Sequence, residues 1–76
     1  MQPYANQSGN AGVLAYDIRP HAIVAQFKSG KTYLYTTPSA GASAIDTMQA
    51  LARAGKGLST FINQHNPPYE QELELT

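Results

Sequence analysis

Between Ala22 and Thr36 the chain reads Ala-Ile-Val-Ala-Gln-Phe-Lys-Ser-Gly-Lys-Thr-Tyr-Leu-Tyr-Thr, two runs rich in β-branched and aromatic residues flanking one Ser-Gly. That pattern predicts a β-hairpin. A two-residue loop of Ser29 and Gly30 would pair Phe27 with Thr32 and send Tyr33 and Tyr35 to the face opposite Ile23, Ala25 and Phe27. Its turn chemistry is poor, because type I′ prefers Asn or Asp before Gly and type II′ needs Gly first. A three-residue loop, Lys28-Ser29-Gly30, instead puts Gly30 in the left-handed position of a type I turn with a G1 bulge. Ala25 then faces Tyr33 and Ile23 faces Tyr35. Since a slip of one residue flips every side chain, the register that gathers the large apolar groups is favoured. The predicted core face carries Ile23, Ala25, Phe27, Tyr33 and Tyr35.

Upstream, Val13 to Ile18 alternates as a first strand, with Leu14, Tyr16 and Ile18 turned to the core and Val13, Ala15 and Asp17 turned away. Arg19-Pro20-His21 is a tight turn in which Pro20 presets φ. Three short strands joined by tight turns favour an antiparallel meander with the second strand central. Residues 1–12 are rich in Gln, Asn, Ser, Gly and Ala without periodicity and predict a disordered arm. Downstream, Thr37-Pro38 ends the third strand, and Ser43 with Asp46 resembles a capping box. Ala44, Ile45, Met48, Leu51 and Ala52 form an apolar stripe at helical spacing up to Ala54, with Gly55 as the stop. After Gly55-Lys56-Gly57, a shorter helix runs from Leu58 to His65 and ends at Asn66-Pro67-Pro68. The fold class is α+β, a three-stranded antiparallel meander followed by two helices (β-β-β-α-α), the first helix covering one sheet face. Val13, Val24 and Leu34 share the opposite face, to stay wet or be buried by a partner.

At 76 residues the chain allows one domain, spanning 13–69, and a small core. It has no cysteine, hence no disulfide or thiolate metal site. No apolar run reaches membrane-spanning length and no secretory leader is legible, which predicts a cytoplasmic protein without a membrane partner. Arg19, Lys28, Lys31, Arg53 and Lys56 stand against Asp17 and Asp46, leaving +3 over residues 1–69. Glu70, Glu72 and Glu74 give the tail, 70–76, a charge of −3. That tail is expected to be mobile, although Glu72-Leu73-Glu74-Leu75 alternates and could add to a sheet edge.

Chemical motifs are few. Gly30-Lys31-Thr32 imitates the end of a phosphate-binding loop, but Ala25 stands where the first glycine belongs and the following Tyr-Leu-Tyr is strand, not helix. His21 and His65 each lack a second ligand at helical spacing, and Asp17 and Asp46 lie on separate elements, so neither a metal site nor a catalytic set is expected. No cofactor or small-molecule substrate is implied. If the first helix returns along the third strand, Arg53 and Lys56 reach the same end as Lys28 and Lys31, and four cations gather at one end.

Tyr16-Asp17, the alternating Ile23, Ala25 and Phe27, Lys28-Ser29-Gly30, the central Tyr33-Leu34-Tyr35, Pro38, and Ala54 through Gly57 followed by Phe61-Ile62 together resemble the KTSC domain. This is a bacterial module of about this length, named for its occurrence at the C-terminus of some lysyl-tRNA synthetases. The resemblance covers Leu14 to Tyr69. It departs where the family has Ser-x-Gly and this chain has Gly55-Lys56-Gly57, and where Asn63 replaces a basic residue. It implies no enzymatic activity and suggests RNA binding.

The residues thus support a non-catalytic interaction module. It binds a protein partner or a second copy of itself, as in a homodimer, through a strand edge or through Val13, Val24 and Leu34. The alternative is an RNA-binding module, for tRNA or single-stranded RNA, using Lys28, Lys31, Arg53 and Lys56.

Overall fold

A computed structural model describes residues 2–5 and 12–73. The elements run β1 (Gln2–Pro3), β2 (Val13–Arg19), β3 (Ala22–Phe27), β4 (Thr32–Thr36), α1 (Thr37–Ala40), α2 (Ala42–Ala54), α3 (Leu58–His65) and β5 (Gln71–Leu73). The class is α+β, with one five-stranded antiparallel sheet in the order β1-β2-β3-β4-β5. Among the described residues, five strands and three helices replace the expected three and two.

The β3–β4 hairpin has the three-residue loop. The Gly30 N–H donates to the Phe27 carbonyl at 2.9 Å and the Phe27 N–H to the Lys31 carbonyl at 2.8 Å. Gly30 has φ 92°, a value that glycine reaches without a Cβ penalty. Ile23 faces Tyr35 and Ala25 faces Tyr33. Ile23 and Ala25 are fully buried, Tyr35 is buried, and Phe27 and Tyr33 are half-buried against them. A single row across the sheet runs Tyr16, Ala25, Tyr33, so the smallest side chain sits between two rings.

The first long strand corrects the expected alternation. Its register shifts between Val13, opposite Phe27, and Ala15, opposite Gln26. Leu14 is the extra residue, and one inserted residue reverses the faces on its N-terminal side. Val13 therefore joins the core instead of the outer face, while Leu14 is 47% exposed.

Gly41 separates α1 from α2. Its φ of 95° and ψ of 148° break the helical path and let α2 start in a new direction. Ile45, Met48 and Ala52 of α2 and Leu58 of α3 are buried over the sheet. The Gln49 amide donates to the Arg19 and Ala22 carbonyls at 3.1 and 2.9 Å, fastening α2 over the β2–β3 turn. The capping box lies earlier than expected. Thr36 Oγ1 accepts the Ser39 N–H, and Ser39 Oγ accepts the Thr36 N–H, so the motif starts α1 rather than α2.

Gln2–Pro3 and Gln71–Leu73 both join the sheet. Gln2 and Pro3 pair with Tyr16 and Ala15, and Tyr4 is buried in the core, against the expectation of a disordered arm through residue 12. Residues 1 and 6–11 lie outside the described residues, as do 74–76. Gln71–Leu73 pairs with β4, against the expectation of a mobile tail from residue 70, because the alternation of Glu72 and Leu73 suits an open strand edge.

Candidate interaction site

The cations singled out from the sequence lie on the hairpin tip, on α2 and on the link after it. Lys28 and Lys31 bracket the hairpin tip, and both are exposed. Lys56 lies on the link between α2 and α3. Ser59, just beyond that link, accepts the Val13 N–H at 3.2 Å, and neighbouring Gly12 accepts the Lys28 N–H at 2.7 Å, so Lys56 belongs to the tip half of the sheet. Arg53 is exposed in the last turn of α2, three residues before Lys56. Among the described residues the ion pair is Asp17–Arg19, at 2.9 Å and exposed. An exposed pair of this kind adds about 0–1 kcal/mol.

The outer sheet face is also less open than expected. Val13 has left it, Val24 on it is fully buried, and Leu34 is half-buried. Val13, Val24 and Leu34 therefore do not make one patch.

A cleft that the sequence did not reveal lies between the α1–α2 elbow and the end of α3. Its volume is about 530 Å³. One wall is the elbow itself, Ala40 to Ala44, with Thr47 one turn further along α2. The other is Phe61, His65, Pro67 and Pro68. Each wall has a local cause. The Thr36–Ser39 box holds α1, and Gly41 turns the chain so that the first turn of α2 faces the cleft. On the far side the His65 ring stacks on Phe61 with centroids 4.5 Å apart and planes at 29°. Asn66, at φ 47°, closes α3 by donating its N–H to the Ile62 carbonyl at 2.8 Å. Pro67 is then buried and Pro68 left exposed along the rim.

The cleft is a surface of methyl groups and flat rings. Polar groups on it are the Ser43 and Thr47 hydroxyls, four residues apart on one helix face, and the His65 imidazole. Among the described residues no acidic side chain lines it. Among the described residues no cluster of three or more His, Asp and Glu could hold a metal ion.

A second surface of note is aromatic. Tyr69 lies tilted against Tyr33 and meets Tyr35 edge-on, and Phe27 meets Tyr33 edge-on. Burial pushes the Tyr35 phenol up to about 12, with Tyr33 and Tyr69 adding to the shift. Tyr35 is therefore a neutral core group at physiological pH, whereas Tyr69 is 49% exposed.

Comparisons of the chain with known protein families, with curated proteins and with solved structures find no match. No helix among the described residues is long and apolar enough to cross a membrane.

Proposed function

We propose that the chain is a small non-catalytic interaction module whose cleft between the α1–α2 elbow and α3 receives an extended segment of a protein partner. The lining of the cleft carries this reading. Alanine methyls face an imidazole stacked on a phenyl ring and two prolines, and hydroxyls are spaced along one side. Flat rings and prolines accept the ridges of an extended or polyproline-type chain, and spaced hydroxyls bond its backbone. Similarity to the KTSC family, carried by Phe27-x-x-Gly30 and Tyr33-x-Tyr35, belongs to the same proposal and adds no chemistry to the cleft.

Selection of binding peptides from a random library tests it, with Thr47→Arg as the comparison. Thr47 is exposed on α2, so arginine there fills the cleft without touching the core. Selected peptides should lose at least about tenfold in affinity for the variant, equivalent to about 1.4 kcal/mol. Equal affinity of the selected peptides for both proteins contradicts the cleft reading.

One observation favours a second reading, RNA binding. Tyr69 is half-exposed on Tyr33, two positions along β4 from Lys31, so a base could extend the ring pair beside a cation. Titration with single-stranded RNA at two salt concentrations decides it, because binding through lysines must weaken as salt rises.

A further inference from the structure

We infer that the outer edge of β2 is a strand-addition socket that reads a tyrosine. The chain's own Gln2–Tyr4 fills it here, and the same segment of a second copy can take its place. This goes beyond the cleft and uses none of its residues.

The socket is defined by what surrounds Tyr4. Its N–H donates to the Leu14 carbonyl at 2.9 Å, which continues the β1–β2 ladder. The buried ring lies edge-on to Tyr16, with centroids 6.5 Å apart and planes at 83°. Its hydroxyl oxygen accepts the Leu58 N–H at 3.2 Å. That amide opens α3, where the N-cap is Gly57 and has no side chain with which to cap the helix. Leu58 is fully buried, so its N–H is out of reach of solvent. The body of the fold thus presents an apolar ring wall, a strand carbonyl and a buried donor that its own cap leaves to be met from outside. A phenol satisfies all three. A phenylalanine fills the walls but orphans the Leu58 N–H, and an unmet buried donor is costly.

Among the described residues the segment is held by little else. Gln2 and Pro3 are exposed, Pro3 has no N–H for the ladder, and β1 pairs there with β2 alone. Exchange of Gln2–Tyr4 between two chains breaks and remakes the same contacts. A second copy therefore fits the socket by construction, in competition with a tethered segment at millimolar effective concentration.

A synthetic peptide of residues 1–8 added to the isotope-labelled full-length chain tests this by NMR. At millimolar peptide the amides of Leu14, Ala15, Tyr16 and Leu58 should shift. The peptide with phenylalanine at the tyrosine position should bind about tenfold or more weakly, and the alanine peptide should leave those amides unmoved. A full-length Tyr4→Phe variant keeps the ring and the fold but holds its own segment less firmly, so it should take the tyrosine peptide about tenfold more tightly than the parent. Equal binding of tyrosine and phenylalanine peptides overturns the inference, as does the absence of shifts at those amides in both proteins.

Discussion

The Tyr69 ring lies 4.4 Å from that of Tyr33, the planes inclined at 34°, and this contact fastens the chain that leaves α3 onto the sheet just before β5. Glu70 continues the attachment, its N–H donating to the Leu34 carbonyl at 2.7 Å and its carboxylate accepting the Thr36 hydroxyl at 2.9 Å. Tyr69→Ala should cost about 1–2 kcal/mol, the value of an aromatic pair plus a half-buried ring. Urea unfolding measures the loss, and amide exchange should show Gln71–Leu73 released before β3 and β4. Unchanged protection of those amides would show that β5 is held by its ladder alone.

Alkaline stability depends on Tyr35. The phenol titrates near its ordinary 10.0 in the unfolded chain and at about 12 in the fold. Between those values the unfolded state has released a proton that the native state retains. Stability is therefore complete below pH 10 and falls as pH rises towards 12, by about 2–3 kcal/mol in total. Tyr35→Phe should flatten that stretch of the pH–stability curve, measured by denaturant melts from pH 9 to 12.

What could be read from the sequence follows how local each cause is. The hairpin register was legible because Gly30 and the alternation of Phe27, Tyr33 and Tyr35 act within a few residues of one turn. The start of α1 was also legible in principle, since Thr36, Pro38 and Ser39 form a helix-opening pattern. The bulge at Leu14 was not, because it is set by how Val13 fits against Phe27 and Ser59 from elsewhere in the chain. Nor was Tyr4, which sits in a stretch without periodicity and finds its partner 54 residues away in Leu58. The cleft escaped for the same reason. Its two walls are brought together by backbone turns at Gly41 and Asn66, while the residues lining it are ordinary alanines and prolines.

The β2–β3 turn carries backbone strain at His21, whose φ is 59°. A non-glycine residue held there loses about 1–2 kcal/mol. The His21 side chain is exposed, and the carbonyl that accepts the Thr37 N–H survives substitution. His21→Gly relieves the strain but adds freedom to the unfolded chain, so a net gain of about 0.5–1 kcal/mol is expected. A lower melting temperature would mean that the imidazole makes a stabilising contact.

Thr32 is 1% exposed, and among the described residues its hydroxyl has no hydrogen-bond partner. Thr32→Val keeps the β-branched shape on β4 and removes the buried oxygen. The variant should be more stable by about 1 kcal/mol, read from the denaturant midpoint at unchanged slope. A loss of similar size would show that the hydroxyl is satisfied.

The cleft between the α1–α2 elbow and α3 is where a partner segment is proposed to bind, and an NMR shift map with a selected peptide examines that most directly. The amides of Gly41 to Ala44, Thr47, Phe61 and His65 should move together and saturate at one peptide per chain, with Lys28 and Lys31 unmoved. Shifts confined to the hairpin tip or to the aromatic face around Tyr69, with the cleft residues still, would contradict it.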